Sequence, residues 1–168
     1  MAGALIVTVE LGAEDFAWLE GLRRRHYPPD RNRVPAHLTM FHALPPSAEG
    51  EVGSRLAKAA RMRMPTARLE GIMDLGGGVA FRVVSPDLDR LREELADGLH
   101  GMLGAQDRGG WRPHVTIQNK VAPKLARELI AALERNFRAR PLAVRGLALH
   151  RYRNGPWETL ASYAFRGG

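Results

Sequence analysis

Apolar positions along the chain follow two periods, and the switches between them mark out the elements. Residues 4–11 are rich in β-branched apolar side chains and predict a first strand. Over 14–27, Phe16, Leu19 and Leu22 fall at helical spacing, and Arg23-Arg24-Arg25-His26 places cations at the negative end of a helix dipole. Prolines break the next stretch, 27–33, into a loop that leads to a strand over 37–44. A helix follows over 49–61, with Val52, Leu56, Ala59 and Ala60 on one face. Strands over 67–75 and 79–84, joined by Gly76-Gly77-Gly78, form a hairpin. Ser85 as N-cap and Pro86 at the first helical position open a third helix, striped by Leu88, Leu91, Leu95, Leu99 and Met102. A glycine-rich loop over 104–112 delivers a strand over 114–121. A helix over 123–137 then carries Leu125, Leu129, Leu133 and Phe137. Strands over 142–152 and 157–165, joined by Arg153-Asn154-Gly155-Pro156, make a second hairpin.

The order helix, strand, helix, strand, strand therefore occurs twice, over 13–84 and 86–165, with the first strand left over. Arg68-Leu69-Glu70-Gly71-Ile72 has a loose counterpart in Val144-Arg145-Gly146-Leu147-Ala148. The expected fold is α+β: a single domain over 1–168, bilobal and duplicated.

Each copy carries the same tetrapeptide form at the head of its first strand. The first reads His37-Leu38-Thr39-Met40 and the second His114-Val115-Thr116-Ile117. Side chains alternate between the faces of a strand, so each His shares a face with its Thr while the apolar partners pack behind. Two such strands facing across a cleft present two imidazoles and two hydroxyls. A neutral imidazole accepts a proton and an imidazolium donates one. On opposite sides of a phosphodiester the pair can deprotonate the attacking oxygen and protonate the leaving one, each transfer typically contributing about 10²–10⁴ in rate. The Thr hydroxyls can donate to non-bridging phosphate oxygens.

Neighbouring positions are weaker candidates. Phe41 and Gln118 keep cleft-facing parity if the strands stay regular, and Arg112 shares the parity of His114. His42 points to the opposite face unless a bulge re-aims it. Arg151 and Arg153 lie near a hairpin end, and His26, His100 and His150 read as surface or structural residues.

Composition narrows the chemistry further. There is no cysteine, which excludes disulfides, thiolate catalysis and Cys-based zinc sites and fits a reducing cytoplasm. No His-Glu-x-x-His sequence or acidic cluster has ligand spacing, so no metal and no cofactor is expected. Lys and Arg total 25 against 18 Asp and Glu, a formal charge of +7 that favours phosphate-bearing partners. The N-terminal apolar run lacks a basic flank and is too short for a signal peptide or membrane span, so no membrane association is expected. A monomer is the working expectation.

The paired motifs, with flanks Val34-Pro35-Ala36 and Arg112-Pro113 and the later Gly155-Pro156-Trp157-Glu158, resemble the bacterial 2′-5′ RNA ligase-like branch of the 2H phosphoesterase superfamily. The resemblance implies two antiparallel β-sheets around a central cleft with helices outside. It also implies metal-independent opening of 2′,3′-cyclic phosphates on RNA ends or nucleotides, or hydrolysis or ligation at a 2′-5′ linkage. By position, His37 and His114 would be the acid–base pair, and Thr39 and Thr116 would bind the phosphate. Members often carry an aromatic residue five positions after the first His and an Arg five after the second; here those positions hold His42 and Asn119. A non-catalytic RNA- or nucleotide-binding module, or a phosphodiesterase for a non-RNA small molecule, fits the same residues.

Overall fold

The computed structural model describes residues 3–167. Its strands are β1 (Leu5–Leu11), β2 (Leu38–Leu44), β3 (Ala67–Asp74), β4 (Val79–Val84), β5 (His114–Gln118), β6 (Arg140–Leu142), β7 (Val144–Tyr152) and β8 (Trp157–Ala164). The α-helices are α1 (Ala13–His26), α2 (Glu49–Ala59), α3 (Pro86–Gly98), the single turn α4 (Ala105–Arg108) and α5 (Pro123–Glu134). The fold is α+β, as the periodicity implies. Ser85 does cap α3, its Oγ accepting from the Leu88 amide at 3.1 Å.

All pairings between these strands are antiparallel, in the order β6-β3-β4-β5-β2-β1-β7-β8. The two expected sheets are present as two four-stranded halves, β6-β3-β4-β5 and β2-β1-β7-β8. They meet at one residue pair, Leu38 with Val115. Both residues are fully buried, and the strands part beyond them. The first strand is central to its half, pairing with β2 on one side and β7 on the other.

The expected strand over 142–152 is divided at Ala143, where the chain passes from one half of the sheet to the other. β6 pairs with β3, whereas β7 pairs with β1. Between them the Ala143 amide donates to Asp15 Oδ2 at 2.7 Å, and its carbonyl accepts from the Gly12 amide at 2.8 Å. Those two bonds replace the ladder that the crossing residue gives up. A Cβ at Gly12 would stand 2.7 Å from the Ala143 side chain, so the approach requires glycine there.

Helices cover the outer faces. Trp18 of α1 stacks on Phe81 of β4 (ring centroids 5.4 Å apart), and Phe81 stacks on Phe137 just after α5 (5.5 Å). The α2 helix packs on α3 and on β7 and β8. A single buried cluster runs from Leu5 to Phe165 and includes Val7, Val9, Leu38, Met40, Val115 and Ile117. No helix among the described residues is long and apolar enough to cross a membrane.

Because the halves share one backbone pair, side-chain packing at that pair carries the junction. Leu38→Ala should lower the unfolding free energy by about 2–5 kcal/mol in urea titration. Leu125→Ala, at a side chain 51% exposed on α5, should change it by less than about 0.5 kcal/mol.

Candidate active site

Beyond Leu38 and Val115 the two central strands splay, leaving backbone groups without a ladder partner. Side chains take that place. On β2, the Thr39 carbonyl accepts from Trp111 Nε1 at 2.9 Å and the Met40 carbonyl from Arg92 Nε at 3.3 Å. The amides of His42 and Ala43 donate to the carboxylate of Asp107 at 2.8 and 3.1 Å. On β5, the Thr116 carbonyl accepts from Arg23 Nη1 at 3.0 Å. The gap so held open is a cleft of about 410 Å³, within the usual range for small-ligand sites.

His37, Thr39, His114, Thr116 and Arg112 all line this cleft, so five of the seven sequence candidates come together. The two imidazoles are held alike. His37 Nδ1 lies 2.8 Å from the Pro35 carbonyl oxygen, and His114 Nδ1 lies 2.7 Å from that of Arg112. A carbonyl only accepts, so Nδ1 carries the proton in both rings and Nε2 remains for chemistry. The prolines at 35 and 113 favour the extended backbone before each motif.

Phe41 and Gln118 are corrections to the expected parity. Both are buried in the core and neither lines the cleft. The cause is a β-bulge directly after each Thr. On β2 the register runs Thr8–Thr39 and then Val7–Phe41, two residues against one. On β5 it runs Ala80–Thr116 and then Val79–Gln118. Each strand thus sends two successive residues inward, Met40 with Phe41 and Ile117 with Gln118. The cleft-facing position moves on by one, to His42 and Asn119. Gln118 Oε1 is buried with no hydrogen-bond partner, and Phe41 lies under the Arg92 guanidinium at 4.5 Å.

Other lining residues were invisible to strand parity. Arg23 reads in the sequence as part of a basic helix end. Its side chain instead turns inward, with Nε on Asn32 Oδ1 at 2.8 Å and the guanidinium 4.2 Å over the Tyr27 ring. Trp157 packs on His37 with ring centroids 4.6 Å apart, and on His150 at 5.5 Å. His150 is fixed between Thr8 Oγ1 and Thr159 Oγ1 at 2.8 and 3.0 Å, and burial lowers its pKa. Arg151 and Arg153 are spent on ion pairs with Glu49 and Glu158.

Desolvation sets the charge state of His37, lowering its pKa from 6.5 to about 4. The hydrogen bond to Pro35 opposes that shift, while Arg23, His150 and His114 add to it. At neutral pH this ring is a neutral acceptor. None of the described residues lining the cleft is acidic. Among the described residues, no three His, Cys, Asp or Glu groups cluster as a metal site would require.

The sequence pattern of the 2′-5′ RNA ligase superfamily matches residues 11–156. Solved structures share the fold over nearly their whole lengths. The protein TT0787 of Thermus thermophilus is 21% identical, with a TM-score of 0.66 and 98% of each chain covered. A protein described as a phosphoesterase is 19% identical, with a TM-score of 0.63 over 98% of this chain and 99% of that one. E. coli LigT, complexed with 3′-AMP, is 18% identical, with a TM-score of 0.62 over 98% of this chain and 99% of that one. No curated protein matches the chain.

The depressed His37 pKa has a defined sign. Between about pH 6.5 and 4 the unfolded chain binds a proton that folded His37 does not, so this group's contribution to stability falls as pH drops through that window. In an NMR titration the His37 ring should stay neutral down to about pH 4. Trp157→Ala, which opens the ring to water, should move its midpoint back toward 6.5. A midpoint near 6.5 in the wild type would refute the desolvation account.

Proposed function

The chain belongs to the 2′-5′ RNA ligase superfamily of 2H phosphoesterases, and from that membership and the cleft we propose a metal-independent phosphodiesterase that opens 2′,3′-cyclic phosphates of RNA ends or nucleotides. One observation carries the reading. Two imidazoles, each with Nδ1 tied to the carbonyl two residues upstream, leave Nε2 free in the same cleft beside two Thr hydroxyls.

In hydrolysis, a water oxygen attacks phosphorus while one Nε2 takes its proton. The bond from phosphorus to the 2′ or 3′ oxygen breaks, and the other imidazole, entering as imidazolium, gives that oxygen a proton. The product is a phosphomonoester with a free hydroxyl. His37, neutral across the ordinary pH range, suits the base, which leaves His114 as the acid. Thr39 and Thr116 would donate to the non-bridging oxygens, with Arg23 and Arg112 supplying positive charge. With a 5′-hydroxyl in place of water, its proton passing to the base while the bond from phosphorus to the 3′ oxygen breaks and that oxygen is protonated by the acid, the same groups would form a 2′-5′ linkage.

The acid-free lining favours an anionic substrate, and the crystal complex of LigT with 3′-AMP shows a nucleotide bound by a protein of this fold. His37→Ala and His114→Ala should each reduce kcat/KM on a nucleoside 2′,3′-cyclic phosphate by about 10²–10⁴-fold with an unchanged circular dichroism spectrum. Chelator should have no effect. Activity should fall on the acid side only near pH 4, where His37 takes its proton. Turnover that survives loss of either ring would rule out the mechanism. Binding without product, even in a single turnover, would make the protein a nucleotide-binding module.

A further inference from the structure

We propose that His42 is a specificity-determining residue that binds a second phosphate of the substrate, next to the one engaged by Thr39, and that Asp107 is its positioning residue; this rests on the phosphodiesterase reading above.

His42 would point away from the cleft on a regular strand, and it lines the cleft only because of the bulge after Thr39. Its ring is then held in place. Asp107, on α4 and 2% exposed, takes the His42 ring Nδ1 at 3.1 Å on Oδ1. The same carboxylate accepts the His42 and Ala43 amides, and those bonds outweigh burial and keep its pKa below the usual carboxylate value. Arg92 fixes the backbone behind it, Nη2 donating to the Asp107 carbonyl at 2.7 Å. This carboxylate is fully engaged, and its one side-chain partner facing the cleft is the imidazole.

With Nδ1 committed to a carboxylate, Nε2 is the atom left for a ligand. A phosphate there and the carboxylate behind are both satisfied by an imidazolium, which has two N–H donors. The surroundings fit an anion. The cleft already holds the guanidinium groups of Arg23 and Arg112 and no acid, two fixed positive charges against the single negative charge of a cyclic phosphate. Position fits as well. Bulge included, His42 lies one same-face step beyond Thr39, about 7 Å along the strand. That is the scale on which a nucleoside separates its 3′ and 5′ phosphates.

Calorimetric titration of the full chain with adenosine 3′-monophosphate and adenosine 3′,5′-bisphosphate tests this without requiring turnover. Wild type should bind the bisphosphate about tenfold or more tightly than the monophosphate. His42→Ala should abolish that preference while holding monophosphate affinity within about twofold, and Asp107→Asn should reduce it. His42→Gln, which keeps a neutral donor, should retain part of it and serves if the alanine variant does not fold. A preference that survives in His42→Ala, a variant that loses both ligands equally, or a wild type that shows no preference overturns the proposal. Failure of wild type to open cyclic phosphates, with the preference intact, counts against the phosphodiesterase reading instead.

Discussion

Two strands that touch at one residue pair and then part create the cleft and the problem that comes with it. A splayed strand edge exposes amides and carbonyls in the middle of a protein, and each left unpaired there costs about 1–3 kcal/mol. Much of the polar detail around the cleft answers that demand. Trp111 and Arg92 cap carbonyls of β2, Asp107 caps two of its amides, and Arg23 caps a carbonyl of β5. Trp111 and Arg23 therefore serve two ends, closing the edge with one atom and lining the cleft with others. Arg23 is the clearest case, with a carbonyl on one side and the cleft on the other.

The same opening sets the electrostatics. Burial against Trp157 and nearby positive charge make a protonated His37 unfavourable, so that ring waits as a neutral acceptor. A phosphate entering the cleft would change the balance, since it would supply the negative charge that the lining lacks. In the function proposed above, proton affinity at His37 would thereby be tied to occupancy.

Much of the fold could be read from periodicity, because its helices and hairpins are local. The α3 cap at Ser85 and the β3–β4 hairpin need no knowledge of the rest of the chain. The break at Ala143 does, since a strand that changes sheet halves looks continuous in its own residues. The meeting of His37, Thr39, His114 and Thr116 in one cleft was legible because a motif occurring twice is its own control. Phe41 and Gln118 were misplaced because a bulge is a property of the paired register. Arg23 escaped notice because three consecutive arginines look alike until one is turned inward. Asp107 sits in a turn of four residues, too short to leave a periodic trace.

The bulge just past each Thr acts as a frame shift, and β2 carries a second between Phe41 and Leu44. Upstream of the bulge that follows each Thr, alternation assigns His and Thr to the cleft and the intervening residues to the core. Downstream the assignment is offset by one, which detaches positions 42 and 119 from the packing that constrains 41 and 118. Side chains at the offset positions can therefore be exchanged without loosening the core or moving the rings of His37 and His114. The lining of the cleft is thereby uncoupled from the packing beneath it, and deleting a single residue after either Thr would forfeit that freedom.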